Sequence, residues 1–136
     1  MVGGLNHLTL AVRELAPSFA FYTKVMGFRP LARWCGGAYL LAGESTWVCL
    51  SVDENTPSEC RIDYTHAAFS VDKNDLAALR QRIMESGAQE WKPNRSEGES
   101  IYFLDPDGHK LELHVGDWRS RLEACRENPY QVMEFF

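Results

Sequence analysis

The sequence predicts an α+β fold of paired βαβββ modules, residues 1–60 and residues 61–136, the second ending in a C-terminal tail. Three observations predict it. The stretch "GLNHLTLAV" (Gly4 to Val12) is echoed by "DYTHAAFSV" (Asp63 to Val71), and His7, Val12 and Gly27 fall on His66, Val71 and Gly87. In both halves an alternating strand is followed by a helical apolar stripe that stops at a glycine. Short strands and tight turns then follow, "DPDG" (Asp105 to Gly108) being the clearest turn signal. Self-similarity at a fixed spacing means one structural plan used twice.

In the first strand the period of two puts Leu8, Leu10 and Val12 on one face and His7, Thr9 and Ala11 on the other. The helix after it has Leu15, Phe19, Tyr22 and Met26 on one stripe, Pro17 near its start and Gly27 at its end. Its counterpart carries Leu76, Leu79 and Ile83 and stops at Gly87. The hairpin "YLLAGESTWVCL" (Tyr39 to Leu50) lies over "YFLDPDGHKLEL" (Tyr102 to Leu113), pairing Tyr39 with Tyr102 and Cys49 with Glu112. In the last strand Leu111 and Leu113 face the helices, while Lys110, Glu112 and His114 face away. The face without helices therefore collects His7, His66 and Glu112.

Composition narrows the function classes. A chain of 136 residues, 45% hydrophobic and 24% charged, is ordinary for one globular domain. A net charge of -5 argues against nucleic acid as a partner, although basic groups at Arg95, Arg119 and Arg121 can meet a small anion. Four cysteines without CxxC spacing, and no apolar leader, point to a reducing cytoplasm and not to a zinc knuckle or export. No apolar run is long enough for a helix to span a membrane.

Two imidazoles and one carboxylate on one concave face suit a divalent metal with open coordination positions, the arrangement a Lewis acid needs to bind substrate directly. A lone strand histidine is more often a hydrogen-bonded structural residue; repetition at one position shifts the balance toward ligation. Cys49, the repeat partner of Glu112, is either a thiolate ligand or a small buried residue beside Val48 and Leu50. His109 beside the turn reads as solvated, and His114 as structural or as a partner of Glu112. In "WKPNRSEGESIYF" (Trp91 to Phe103), Lys92, Arg95, Ser96, Ser100 and Tyr102 offer donors to an anion, while Asn94, Glu97 and Gly98 add oxygens. The plain alternative is a polar loop.

Together with "FYTKVMGFRPLARW" and "RLEACRENPY", these motifs resemble the vicinal oxygen chelate superfamily and, within it, the fosfomycin-inactivating glutathione transferases of the FosA type. The likeness covers almost the whole chain, and the "NRSEG" loop followed by "YFLDPDGHKLELHVG" is its most specific part. The resemblance implies an exchanged homodimer in the cytoplasm, with His7 of one chain meeting His66 and Glu112 of the other around Mn(II). It implies fosfomycin and glutathione as substrates, with Lys92, Ser96, Tyr102 and Arg121 on the phosphonate and Trp47 nearby. Thr9 would hydrogen-bond the opening epoxide oxygen, and Tyr39 would help activate the thiol. Asn94, Ser96, Glu97, Gly98 and Ser100 match a potassium loop, and Trp34, Trp47, Ser51 and Arg95 match positions near a glutathione channel. Trp34 and Trp47 read equally well as core aromatics.

The chain departs from the family pattern at Cys35-Gly36, Ala67 and Pro93. A fosfomycin hydrolase of the same fold would use a carboxylate, with Glu44 the residue to suspect, to activate water. Bacillithiol-using relatives lack this loop pattern. A bleomycin-type drug-binding protein shares the fold but needs no metal triad, and an Fe(II) extradiol dioxygenase would not need the anion-binding loop.

Overall fold

The βαβββ plan occurs twice in the computed structural model, which describes residues 1–136. The first module runs β1 (His7–Val12), α1 (Leu15–Ala20), a π-helical turn (Phe21–Val25), β2 (Arg29–Trp34), β3 (Gly37–Ala42) and β4 (Thr46–Val52). The second runs β5 (Ala67–Ser70), α2 (Lys73–Glu85), β6 (Glu90–Lys92), β7 (Ser100–Leu104) and β8 (Lys110–His114), and α3 (Trp118–Glu127) comes after it. The two sheets have the orders β1-β4-β3-β2 and β5-β8-β7-β6, each with one parallel and two antiparallel pairings. Strands β1 and β5 are both edge strands. No helix is long and apolar enough to cross a membrane.

The register makes the repeat explicit. Across the first sheet Thr9 pairs with Cys49, Cys49 with Tyr39 and Tyr39 with Ala32. The same row in the second sheet is Ala68, Glu112, Tyr102 and Lys92. The next row on that face is Ala11, Ser51 and Gly37 in the first sheet and Ser70, His114 and Ser100 in the second.

The opposite faces share one core of 17 buried residues, including Leu10, Val12, Tyr22 and Leu40 from the first module and Leu76, Ile83, Phe103 and Leu111 from the second. The apolar stripe expected in the first module does face the core, but the helix that carries it is not a continuous α-helix. A π turn, marked by Met26 N–H donating to the Phe21 carbonyl, inserts an extra residue per turn and rotates the side chains beyond it. Ser18, Phe21, Tyr22 and Met26 are buried, and Leu15 and Phe19 are half-buried and pack against the same core. The expected C-terminal tail is in part the helix α3, closed at its start by a capping box between Asp117 and Ser120.

The DPDG turn does more than reverse the chain. Tyr22 donates to Asp105 Oδ2 (2.6 Å), Ser18 donates to Asp107 Oδ2 (2.9 Å) and the Arg13 N–H to Asp107 Oδ1 (3.0 Å), so two buried carboxylates tie the second module to the first. Burial pushes the Tyr22 phenol well up from its ordinary range, with Asp105 reinforcing the shift, and burial also raises the Asp105 carboxyl. His109 is not solvated as its position beside the turn suggests: half-buried, its Nε2 donates to the Ala11 carbonyl at 2.7 Å.

Candidate metal and anion site

The face without helices on the second sheet assembles most of the expected site. Glu112 points there from the middle of β8 and is buried, and His66 stands immediately before β5. The Nδ1–H of His66 donates to the Tyr64 carbonyl (2.8 Å), which leaves the lone pair on Nε2. That Nε2 faces Glu112 Oε2 at 3.1 Å. A lone pair facing a carboxylate oxygen needs a proton or a metal ion between them. Two donors each about 2.1 Å from a metal and at right angles to it lie roughly 3 Å apart, so the pair fits two adjacent positions of one coordination sphere.

His7 is prepared in the same way but lies elsewhere. Its Nδ1 is hydrogen-bonded to Asn6 Oδ1 (2.7 Å), so Nδ1–H donates and Nε2 is free. His7 is exposed and its ring packs on Trp47 at 4.8 Å. Within one chain no three His, Cys, Asp or Glu side chains cluster as a metal site. The chain thus brings His66 and Glu112 together in its second module and holds His7 separately in its first.

Next to the pair, Lys92, Ser96 and Tyr102 come together. The Lys92 ammonium lies over the rings of Tyr64 (4.8 Å) and Tyr102 (4.9 Å) and donates to the Tyr64 hydroxyl. That hydrogen bond raises the Lys92 pKa and keeps the group cationic. Ser96 Oγ is 3.4 Å from the Tyr102 hydroxyl. Trp91 packs on His66 (5.4 Å) and Tyr102 (5.2 Å), and its indole N–H donates to the Leu111 carbonyl. Sequence reasoning singles out neither Tyr64 nor Asn6; each lies within two residues of a histidine of the repeat, which is the available signal.

The loop after β6 is organised by Asn94, whose Oδ1 accepts from the Ser96 N–H and hydroxyl (both 3.1 Å) and whose amide donates to the Gly98 carbonyl (2.9 Å). Gly98 has φ +74, and a Cβ there would sit 2.5 Å from the Val115 carbonyl, so the tight return to β7 requires glycine. Arg121 and Glu97, expected on the phosphonate and on potassium respectively, pair with each other: Arg121 Nε donates to Glu97 Oε2 at 3.0 Å. Burial alone would raise the Glu97 carboxyl, but hydrogen bonds from Arg121 and Ser120 outweigh it and hold the pKa below the usual range. Ser100 is buried and makes hydrogen bonds of 2.7 Å with both Glu112 Oε1 and His114 Nδ1. Arg95 is exposed.

The first sheet's corresponding face is aromatic. Trp34, Tyr39 and Trp47 form a row with ring separations of 4.8 and 5.2 Å, continued by His7. Trp34 is 45% and Tyr39 39% exposed, and Trp47 is half-buried, which rules out the core reading of the two tryptophans. Thr9 and Ser51 are exposed on this face, and Cys49 is buried between Thr9 and Tyr39. Glu44 is exposed in the turn joining β3 to β4.

The model of the Glyoxalase/Bleomycin resistance protein/Dioxygenase superfamily matches residues 4–113. The chain is 53% identical over 139 residues to "Glutathione transferase FosA" of Serratia marcescens, spanning 99% of this chain and 96% of that protein. It is 40% identical over 128 residues to "Metallothiol transferase FosB" of Shouchella clausii, spanning 90% of this chain and 86% of the relative. Among solved structures it is similar to a mutant of the fosfomycin resistance protein FosX of Listeria monocytogenes, complexed with Mn(II) and 1S,2S-dihydroxypropylphosphonic acid. That likeness has a TM-score of 0.79 at 30% identity and covers 91% of this chain and 98% of the other.

Proposed function

The chain belongs to the glyoxalase/bleomycin resistance protein/dioxygenase superfamily and, within it, to the Fos family, and from that premise we propose that it is a metal- and potassium-dependent glutathione transferase that opens the epoxide of fosfomycin and so confers resistance. The observation that carries the reading is the Nε2 lone pair of His66 facing Glu112 Oε2 at 3.1 Å beside the cationic Lys92. The names of the relatives supply the substrate and the thiol. A bleomycin-type binder would have no use for such a pair.

The working unit is a homodimer in the cytoplasm, with each site completed across the subunits. A single chain holds two of the three proposed ligands in one place, and its aromatic face, with Trp34 and Tyr39 exposed, is available to a second copy. His66 and Glu112 of one chain and His7 of the other would hold Mn(II), which when bound supplies Lewis-acid stabilisation of the negative charge that develops on the epoxide oxygen.

The side chains do the rest. Lys92, Ser96 and Tyr102 grip the phosphonate, and Arg121 joins them from α3 while Glu97 orients its guanidinium. Tyr39, flanked by Trp34 and Trp47, hydrogen-bonds the sulfur as the thiol gives up its proton to solvent, and Ser51 and Arg95 flank the glutathione. The C–S bond forms at the carbon bearing phosphorus as the C–O bond breaks. Thr9 donates a hydrogen bond to the departing oxygen, which takes a proton from solvent and ends as a hydroxyl, balancing the one the thiol released. Potassium in the loop after β6, held by oxygens of Asn94, Ser96, Glu97 and Gly98, offsets the substrate's double negative charge.

Mass spectrometry of fosfomycin incubated with the protein and Mn(II), with and without glutathione, tests the reading. The expected product is the glutathione adduct, formed only when thiol is present. A diol formed equally well without thiol would replace the transferase with a hydrolase and direct attention to Glu44.

A further inference from the structure

We infer that Ser100 and His114 are positioning residues for Glu112, fixing which of its carboxylate oxygens is left for a metal ion. The inference rests on the ligand pair proposed above and goes beyond it, because it reassigns a side chain otherwise grouped with the potassium loop. A serine hydroxyl has one proton and can give it only once. Ser100 Oγ lies 2.7 Å from Glu112 Oε1, which as a carboxylate oxygen can only accept, so the proton goes there. The second contact, 2.7 Å to His114 Nδ1, must then run the other way, with the Nδ1–H of His114 donating to Ser100.

The result is a directional chain, His114 to Ser100 to Glu112, that engages Oε1 and leaves Oε2 turned toward His66 at 3.1 Å. Glu112 is thereby set to offer one oxygen. His114 is itself held by its surroundings: its ring fills the space that a side chain at position 98 would need, and its Nε2 lies 3.9 Å from Glu97 Oε2. The Ser100 side chain is buried, and two of its three hydrogen-bonding capacities are used inside the second sheet.

The repeat supplies an internal control. Where the first module has Cys49 in place of Glu112, the positions of His114 and Ser100 are taken by Ser51 and Gly37. A side chain at Gly37 would meet the Leu50 carbonyl at 2.3 Å and the Trp34 ring at 3.0 Å, so that sheet gives the space to an aromatic ring. The carboxylate and the pair that supports it are present together in one module and absent together in the other.

Groups that orient a metal ligand typically change metal affinity by about tenfold to a hundredfold when removed. Mn(II) binding to the intact protein, read as loss of the free-ion electron paramagnetic resonance signal, needs no turnover. Titrations in tetramethylammonium buffer, free of potassium, should show Ser100→Ala weakened by that factor, Ser100→Thr close to the unsubstituted protein, and the spectrum of the bound ion altered in Ser100→Ala. His114→Asn, which keeps a donor near the Nδ1 position, should bind nearly normally, and His114→Phe should not. This second pair decides the matter if Ser100→Ala does not fold. Ser100→Ala binding within about threefold of the unsubstituted protein, or losing affinity only when potassium is present, would overturn the inference in favour of a potassium ligand. Absence of saturable Mn(II) binding by the unsubstituted protein would remove the proposed metal site and this inference with it. Normal Mn(II) binding without a glutathione adduct would refute the proposed reaction and leave the positioning result standing.

Discussion

The two modules share a backbone register and differ in nearly every side chain that carries chemistry. Across equivalent rows, Thr9, Cys49, Tyr39 and Ala32 stand opposite Ala68, Glu112, Tyr102 and Lys92. The first face is aromatic and nearly neutral; the second carries a carboxylate, an ammonium and, at its margin, the Arg121–Glu97 pair. The histidine and the tyrosine pair Tyr39 and Tyr102 are common to both, and in both modules the histidine's Nδ1 is occupied, by Asn6 in one case and by the Tyr64 carbonyl in the other. One plan used twice thus gives two scaffolds with a histidine at the same place, one backed by charged and polar side chains and the other by aromatic rings.

The largest effect should come from breaking the half that keeps its carboxylate. Glu112→Ala or His66→Ala should lower glutathione-adduct formation by well over about a hundredfold, beyond the effect of removing a supporting group. His7→Ala should do the same from the other module. Mixed chains sharpen the point. If each site takes His7 from one chain and the pair from its partner, a His7→Ala chain with a Glu112→Ala chain makes a heterodimer with one intact site. Random re-pairing should then restore about a quarter of normal activity. No recovery on mixing, with heterodimers present by native mass spectrometry, would refute the shared site.

Cys49 is the next place where the halves can be made more alike. Buried between Thr9 and Tyr39, it occupies the position that Glu112 holds in the other sheet. Cys49→Ala should keep Mn(II), because the cysteine is a packing residue, and Cys49→Glu should bring a second carboxylate to the site and suppress turnover while retaining metal. Loss of Mn(II) in Cys49→Ala would show the thiolate to be a ligand after all.

How much of this the sequence displays depends on range. The strands, α2 and the repeat follow from periodicities of a few residues, and the shared face of His7 and Thr9 or of Glu112 and His114 follows from the same alternation. The π turn does not, because one inserted residue in a helical pattern is set by what the turn must reach: Tyr22 finds its partner Asp105 across 83 residues. His109 reads wrongly as solvated for the same reason, since its acceptor lies in β1, 98 residues away. The helix α3 carries a local signal, Asp117 three residues before Ser120, that a capping reading would find. The chain from His114 through Ser100 to Glu112 needs three positions on two strands, and only the pairing of β7 with β8 brings them into line.

The hairpin turns offer a comparison in stability instead of chemistry. Glu44 in the first module's turn is exposed, whereas Asp105 in the second module's turn is buried and takes a hydrogen bond from Tyr22. Tyr22→Phe leaves Asp105 Oδ2 without that donor and should cost about 1–3 kcal/mol. Glu44→Ala should stay within about 0.5 kcal/mol of zero. Equal effects in chemical denaturation would mean that the turn does not tie the modules together.

The smallest expected effect tests the charge asymmetry. Glu97 belongs to the second module's network, and hydrogen bonds from Arg121 and Ser120 overcome its burial to hold its folded pKa below the ordinary value of 4.5. A carboxyl with a depressed folded pKa binds protons less readily in the folded state than in the unfolded one. Its contribution is therefore present above the ordinary value and lost as pH falls from there through the lower folded value. With Arg121 about a third exposed, solvent screening limits the contribution to roughly 0.2–1 kcal/mol. Glu97→Gln should lower stability near pH 7 by that amount and leave the two proteins nearly equal once the acid limb has been crossed. Stability measured from about pH 3 to pH 7 should show this convergence, and it should be weaker in high salt because the pair is only partly shielded from solvent. A difference that stayed constant over the whole range would identify Glu97 as a packing residue whose charge does not matter, and would leave Arg121 oriented by other contacts of α3.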